Sequence, residues 1–484
     1  MYAPYLHPGT EDSHCRGAAD DGLRRSKWSG VKAALKEARG TDLDFVINRI
    51  AAAGVVGAGG GGFPTAFKLK TGRPIRTVII NGAECEPLLR VDQALMARYP
   101  AELLAALATI VEASSAEWGV VALKEKYREA HIALEEEIKN YPRLKLHILP
   151  DVYPMGDEHL LTYSVTGQTI PPGGLPLQAG AVVINVETLY NIHEALKGIP
   201  VTHKYVTVTG AVRRPATVKV PVGTPVENLL ELAGGPSADR YLIMDGGPCM
   251  GKVTSPSAPV SKTTKGIIVL PLDHPLAAVY QRDLNRDLKL ALSVCCQCRQ
   301  CTDFCPRHLL GHPLEPHRII RAVTYGLVDV TLPQALLCSE CGLCDLYACP
   351  FNLSPRQVNR RIKAELRQKA FRPTGWGGSG PLPWREGRQV PTRRLIERLG
   401  LQEYSARPAT LQEGEVTVTR VRLALKQGAG AVARPLVGVG DRVQRGDLVA
   451  RTDGGTLGAD LHASIGGIVR AVVEGEIVIE GGGD

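Results

Sequence analysis

The spacing of apolar and polar positions changes period several times along the chain, and each change marks a different kind of element. Apolar residues from Asp44 to Gly54 recur at helical spacing and predict a helix that a run of glycines terminates. A β-branched run ending at Asn81 predicts a strand, and the apolar-rich stretch from Pro100 predicts a long helix. Lys145 to Leu149 and the apolar run Ala181 to Val186 add two strands, so residues 44–200 read as an α/β domain. Residues 203–270 switch to short β-branched runs, Tyr205 to Thr209 and Ala216 to Val220, with one helix near Val226 to Ala233. Cysteines stand among helical segments over residues 285–370. A linker is predicted for 371–414, opened by the Gly/Pro/Trp-rich stretch Pro373 to Trp384, and strands with glycine turns for 415–484. Residues 1–43 read as a polar, flexible leader in which Ser26 to Arg39 has the composition of a short basic helix.

Length agrees with this modular reading, since 484 residues at roughly 150 per domain give three or four domains. A composition of 44% hydrophobic and 22% charged residues is that of a folded globular chain. The net charge of +8 is spread along the sequence rather than gathered in a block, which argues against a nucleic-acid partner. It would instead assist the approach of an anionic dinucleotide or protein. No apolar signal-peptide core opens the chain, and no run reaches the roughly 18 apolar residues of a membrane span. Any membrane link is therefore expected through a partner. Without an oxidising destination, the twelve cysteines read as metal ligands rather than disulfides.

Eight of them fall into two runs. Cys295, Cys298 and Cys301 are spaced C-x2-C-x2-C, with Cys305 and Pro306 following. Cys338, Cys341 and Cys344 repeat the spacing, with Cys349 and Pro350 following after one residue more. This is the ferredoxin pattern of two [4Fe–4S] clusters, in which the last cysteine of each run reaches the other run's cluster. The expected sets are Cys295, Cys298, Cys301 with Cys349, and Cys338, Cys341, Cys344 with Cys305. Two structural zinc sites are the competing reading, but zinc usually draws paired C-x2-C knuckles rather than triplets closed by Cys-Pro. Cys296 offers an alternative first ligand, which the x2 spacing disfavours. Cys15, Cys85 and Cys249 stand alone and read as buried or idle thiols, and His308, His312 and His317 as solvated or capping residues.

Gly57, Gly59 and Gly62 satisfy G-x-G-x-x-G within GVVGAGGGGFPTAFK, yet the segment before them is helical and Pro64 interrupts the exit, so this is no Rossmann fingerprint. What remains is a loop whose backbone can approach a phosphate or flat ring, with Lys68 to meet phosphate charge. The ordered motifs GAGGGGFPT-x2-K, NGAECEP with Asp92 behind it, YPMGDE and NVETLYN resemble the flavin-binding subunit of NADH dehydrogenases. The resemblance implies that Gly57, Gly59, Gly60, Gly62 and Lys68 hold the FMN phosphate and ribityl. It likewise implies that Asn81, Glu84, Glu86, Asn185, Glu187 and Thr188 line the flavin and nicotinamide site. Phe63 would lie near a ring of NADH, and Glu158 matches the family's acidic run although Asp157 replaces its first Glu. A cation held by the same acidic residues remains an alternative.

Two relatives join such a flavin domain to a β-grasp ligand (SLBB) domain and a double cluster: the RnfC component of the membrane-bound Rnf ferredoxin:NAD oxidoreductase, and the cobalamin reductases of propanediol-utilization microcompartments. GVVGAGGGGFPT, NGAECEPLLRVDQALM, CRQCTDFCPRHLLGHPLEPH and CGLCDLYACPFNLSPRQVN resemble the latter most. The implied fold is an α/β multidomain protein: a flavin/NADH-binding α/β domain, an SLBB β-grasp domain over 203–270, an α-helical double [4Fe–4S] ferredoxin-like domain, and a C-terminal β barrel-sandwich hybrid. No lysine follows Lys426, so that last domain has no amine to biotinylate or lipoylate and reads as a structural or docking module. The resemblance implies NADH as donor, FMN and two clusters as carriers, and a corrinoid as acceptor. Adenosyltransferase or shell proteins are the implied partners, in the cytoplasm or a microcompartment. An Rnf-like NAD(H):ferredoxin module and a non-catalytic wiring subunit are the alternatives. The usual D-x-H-x-x-G motif of resident B12 is absent, Asp157, His159 and Thr162 lacking the final glycine, so a corrinoid would be a transient acceptor.

Overall fold

The computed structural model describes residues 42–327, 331–371, 375–453, 455–473 and 475–481. The predicted helix Ser26 to Arg39 lies outside them.

The first domain is built on four parallel strands in the order β3-β2-β1-β5: β1 (Thr77–Gly82), β2 (Trp118–Lys124), β3 (Leu144–Leu149) and β5 (Ala181–Asn185). Both faces are covered, which is why these strands read as continuous apolar runs. Val78 and Ile80 of β1 pack with Leu103, Leu104 and Leu107, while Ile79 points to the other face with Met155 and Leu161. The first face is covered by α1 (Leu43–Ala52), α3 (Val91–Arg98), α4 (Pro100–Ala113), α5 (Arg128–Glu137) and α7 (Val186–Leu196), the second by α6 (Glu158–Thr166). The short α2 (Thr65–Leu69) follows the glycine loop. Among the described residues no single helix is long and apolar enough to cross a membrane; α3 and α4 pass only as a pair, bent by 92°. Their apolar side chains are core here.

The second domain is a six-stranded sheet ordered β12-β7-β6-β10-β8-β9. Its strands are β6 (His203–Gly210), β7 (Ala216–Pro221), β8 (Tyr241–Asp245), β9 (Lys252–Thr254), β10 (Gly266–Pro271) and β12 (Thr410–Glu415), with α8 (Val226–Leu232) packed on it. Helices α9 (Leu284–Val294), α10 (Pro316–Thr324) and α11 (Pro355–Gln368) enclose the cysteine runs. The C-terminal module packs two small sheets around Val421, Leu423, Val449, Val469, Ile477 and Ile479: β13 (Arg420–Ala424), β19 (Glu476–Glu480), β18 (Gly467–Val473) and β15 (Arg442–Val443) in one, β14 (Arg434–Pro435), β16 (Leu448–Arg451) and β17 (Leu461–His462) in the other.

The described part of 371–414 departs from the linker expectation. Strand β11 (Val390–Pro391) pairs with β4 (Val152–Tyr153) of the flavin domain, α12 (Thr392–Arg398) and α13 (Gln402–Ser405) follow, and β12 then joins the β-grasp sheet beside β7. Leu395, Leu399 and Leu401 enter the β-grasp core, which is the physical reason the segment is a strap rather than a tether. Lys124, wholly buried, ties it down by donating to Thr392 Oγ1 at 3.1 Å while pairing with Asp151 at 2.9 Å.

Candidate functional site

The glycine loop sits where the strand order reverses, beyond the carboxyl ends of β1 and β5, the usual place for a ligand in an open parallel sheet. It closes on itself through Gly57 N–H donating to Phe63 O (2.9 Å) and Gly62 N–H to Gly57 O (3.0 Å). Ala58 N–H donates to Thr188 Oγ1 at 2.8 Å, fixing the loop to α7. Gly60 and Gly62 adopt φ of 105° and 61°, a region costly to residues with a Cβ. A Cβ on Gly60 or Gly61 would meet nothing within 4 Å, because both face a cavity of 1080 Å³. The C-terminal module braces the loop from behind: Ala429 N–H donates to Gly62 O at 3.0 Å, and the buried Lys262 donates to Gly54 O (2.7 Å) and Asp460 O (2.8 Å).

Of the residues predicted for the flavin and nicotinamide site, Gly57, Gly59, Gly60, Gly62, Phe63, Lys68, Asn81, Glu84, Glu86, Glu158, Asn185 and Thr188 all line this cavity. Lys68 pairs with Glu158 at 2.7 Å, bringing together two side chains that the sequence places 90 residues apart. Asn81 Nδ2 donates to Gly156 O, and Glu84 caps α3 by accepting from Asp92 N–H at 2.8 Å. Burial, then the neighbouring Asp92 charge, raises Glu84 to about 7. Burial pushes Glu86 to about 7 as well, against hydrogen bonds from Cys249 N–H and the Tyr153 hydroxyl.

Glu187 is the exception. It is wholly buried and absent from the cavity wall; its carboxylate turns to β6, where Lys204 Nζ and Tyr205 N–H donate to it. The wall also contains Thr65, Lys265 and Arg356, which sequence reasoning did not assign, Cys341, which it assigned to a cluster and not to this cavity, and Asp92, noted only as lying behind a motif. Lys265 donates to Asp92, to which Asn185 Nδ2 also donates at 2.8 Å.

Both cysteine runs share one backbone device. Gln297 and Arg299 in the first run, and Glu340 and Gly342 at the matching positions of the second, all have φ between 55° and 84°. Successive residues of this kind turn peptide N–H groups inward, the concavity that cradles anionic clusters. Sulfur atoms already accept hydrogen bonds: Cys295 from Gln297 Nε2 (3.1 Å), Cys338 from Glu340 N–H (3.3 Å) and Cys349 from Leu353 N–H (3.3 Å). The electrostatic neighbours are crossed. After burial, Cys349 is the strongest influence raising Cys301, and Cys298 and Cys295 raise Cys349. Cys305, pushed up to about 12 by burial, feels Cys338 and in turn raises Cys341. No three His, Cys, Asp or Glu side chains among the described residues converge tightly enough for a single metal ion. Thiolates around a cubane stand farther apart than ligands at about 2.3 Å from one zinc.

The two regions share a wall. Cys341 lines the glycine-loop cavity, and its carbonyl accepts from the Tyr153 hydroxyl at 2.6 Å, which also stands 3.2 Å from Glu86 Oε1. Arg356 lines the same wall, buried, paired with Asp345 at 3.1 Å and donating to Cys249 O. Asp157 caps α6 and accepts from Arg307 Nη2 at 2.8 Å, two residues beyond Cys305. Burial acts to raise Asp157, but the guanidinium holds it below the usual carboxylate range.

The residues present fit both groups that the motifs imply. Thr65 Oγ1 is buried without a hydrogen-bond partner at the open cradle, and the buried Asn359 amide stands against the Cys338 sulfur. An orphaned hydroxyl suits a polar ligand at the first place, and an amide donor suits a cluster sulfur at the second. The cavity stands at the upper end of the range for small-molecule sites, roomy enough for two ligands side by side.

A glycine-loop cavity with Cys341 of a double ferredoxin-type cysteine field in its wall defines a flavin- and iron–sulfur-dependent oxidoreductase. The chain matches the Nuo51 FMN-binding domain over residues 50–194, the SLBB domain over 205–253, the 4Fe-4S dicluster domain over 294–354 and the RnfC barrel sandwich hybrid domain over 407–482. It is 45% identical to the cobalamin reductase PduS of Salmonella typhimurium, covering 90% of this chain and 96% of that one, and 44% identical to the PduS of Citrobacter freundii, covering 90% and 97%. The RnfC-type component of the Na(+)-translocating ferredoxin:NAD(+) oxidoreductase complex of Acetobacterium woodii is 34% identical, covering 55% and 59%. The chain belongs to the PduS cobalamin reductase family.

Proposed function

We propose that this chain oxidises NADH and reduces the cobalt of a corrinoid, so restoring an inactive B12 cofactor. FMN, when bound, accepts a hydride and passes electrons on singly, and [4Fe–4S] clusters carry them one at a time. The observation that carries the reading is Cys341, a ferredoxin-run cysteine in the wall of the glycine-loop cavity. Hydride acceptance and one-electron transfer are thereby neighbours within one chain.

Gly57, Gly59, Gly60, Gly62 and Lys68 are the proposed holders of the flavin phosphate and ribityl. Asn81, Glu84, Glu86, Asn185 and Thr188 face the ring and the nicotinamide. Cys295, Cys298, Cys301 and Cys349 hold one cluster, and Cys338, Cys341, Cys344 and Cys305 the other. Glu86, raised to about 7, is placed to hold or release a proton at the cavity wall. Lys68 Nζ donates to Glu158 and to Val183 O and keeps a third proton for a phosphate. The C-terminal module acts by bracing the glycine loop, and the β-grasp sheet contributes Lys265 to the wall. A corrinoid adenosyltransferase or a microcompartment shell protein is the partner this role calls for.

The test is anaerobic NADH oxidation by iron- and FMN-reconstituted protein with hydroxocobalamin as sole acceptor, followed at the cobalt absorbance. Fast reduction that vanishes when FMN is omitted is expected. Bleaching of flavin and clusters while the corrinoid stays oxidised and added ferredoxin is reduced would transfer the chain to the Rnf-like role.

A further inference from the structure

The two cysteine sets differ in depth. In the second set Cys305, Cys341 and Cys344 are each 8% exposed and Cys338 is half-buried, and Cys341 reaches the cavity wall. In the first set Cys298 is exposed, Cys295 and Cys301 are half-buried and Cys349 is 8% exposed, and none of the four lines the cavity. One set is therefore proximal to the hydride-accepting cavity and the other opens to solvent.

Helix α9 runs directly into the solvent-facing set, since Cys295 is its C-cap. Of its acidic residues, the exposed Asp283 caps the helix's own N-terminus, one turn before the cations, and Asp287 is buried and accepts from the Ser354 hydroxyl. What the outer face presents is Arg286 and Lys289, exposed and in no ion pair among the described residues, flanked by Leu290 (44% exposed) and Leu292 (51%). Exposed leucines beside unpaired cations mark a surface for a ligand that is part apolar and part anionic.

We infer that electrons leave this protein at the first-run cluster, on the side of the exposed Cys298, and that α9 receives the corrinoid there, Arg286 and Lys289 meeting its nucleotide phosphodiester and the leucines its macrocycle. This rests on the corrinoid-reducing role proposed above. NADH, on becoming NAD+ and a proton, gives up two electrons, and these convert two Co(III) centres to two Co(II). Cobinamide, a corrinoid without the nucleotide phosphate, would gain nothing from the two cations.

The test is equilibrium dialysis of cobalamin against the FMN- and cluster-loaded protein, wild type and R286Q/K289Q, repeated with cobinamide and at low and high salt, alongside NADH-driven cobalt reduction. Two surface charges near a phosphate change affinity by about fivefold at low salt. The expected result is a Kd for cobalamin raised by about that factor in the variant, converging with wild type at high salt, with the cobinamide Kd unchanged and NADH bleaching of the clusters intact. Equal cobalamin affinity in both proteins overturns the α9 surface while leaving corrinoid reduction standing. Equal weakening toward cobinamide overturns the phosphate contact. Wild-type protein that reduces no corrinoid at all overturns the underlying role together with this one.

Discussion

Replacing Lys204 with Met separates the two roles open to Glu187. Lys204 lies on the first strand of the β-grasp sheet and Glu187 at the start of α7; their side chains are 1% and 0% exposed. The substitution keeps the apolar stem and deletes the cation, leaving Glu187 with Tyr205 N–H at 2.9 Å and Lys265 at 3.7 Å. Breaking a buried pair from one side costs about 3–5 kcal/mol. Lys265 and the Tyr205 N–H remain to share the orphaned carboxylate, so the expected loss stands at the lower end, about 3 kcal/mol. The double variant K204M/E187L, apolar on both sides, should recover most of the loss. The assay is urea unfolding of the three proteins, with FMN content measured on each. A K204M loss below about 1 kcal/mol, or a double variant no more stable than K204M, would refute the ion-pair account. An E187Q protein that loses FMN at undiminished stability would return Glu187 to the flavin site.

Other consequences are quicker to check. Cys349→Ala should remove or convert the EPR signal of the first-run cluster and Cys305→Ala that of the second; each change confined to the substituted residue's own run would sink the crossed assignment. Gly61→Val has room within the protein and should leave the thermal midpoint nearly unchanged while lowering FMN content sharply; a variant that keeps its flavin would show the loop is not the cradle. Glu86 has a folded pKa raised to about 7, so its contribution to stability is full below the ordinary carboxyl value and is lost as the pH rises through about 7. Glu86→Gln should flatten part of that slope, the rest belonging to Glu84, and an unchanged melting profile between pH 5 and 8 would contradict the assignment.

Local chemistry was readable where the sequence carries it contiguously. The cysteine spacings and the glycine run marked both cradles, and twelve of the thirteen residues implied for the flavin site meet at one cavity. Glu187 escaped because its orientation is decided by Lys204, which belongs to the next domain; the NVETLYN motif carries no trace of that contact. Lys265, Cys341 and Arg356 reach the wall from positions far along the chain, and no local pattern announces such convergence. Asp157, seen as a substituted motif residue and as part of an incomplete B12 motif, is a helix cap and the flavin-domain half of a joint to Arg307. The 371–414 strap had a weak signal in Leu395 and Leu399, four residues apart, that its Gly/Pro-rich opening masked. Strand β2 had a signal of its own in the apolar run of WGVVALK, which the helical stretches on either side obscured.

The central claim is that one chain carries electrons from NADH to its clusters through a shared wall, and a single-turnover experiment tests it most directly. Reconstituted protein, alone and without an acceptor, is mixed anaerobically with NADH while flavin and cluster absorbance are followed together. The account predicts that flavin bleaching is followed by cluster bleaching, and that FMN-stripped protein shows neither. Bleaching of the flavin with the clusters left oxidised, or clusters reduced by NADH without FMN, would contradict it.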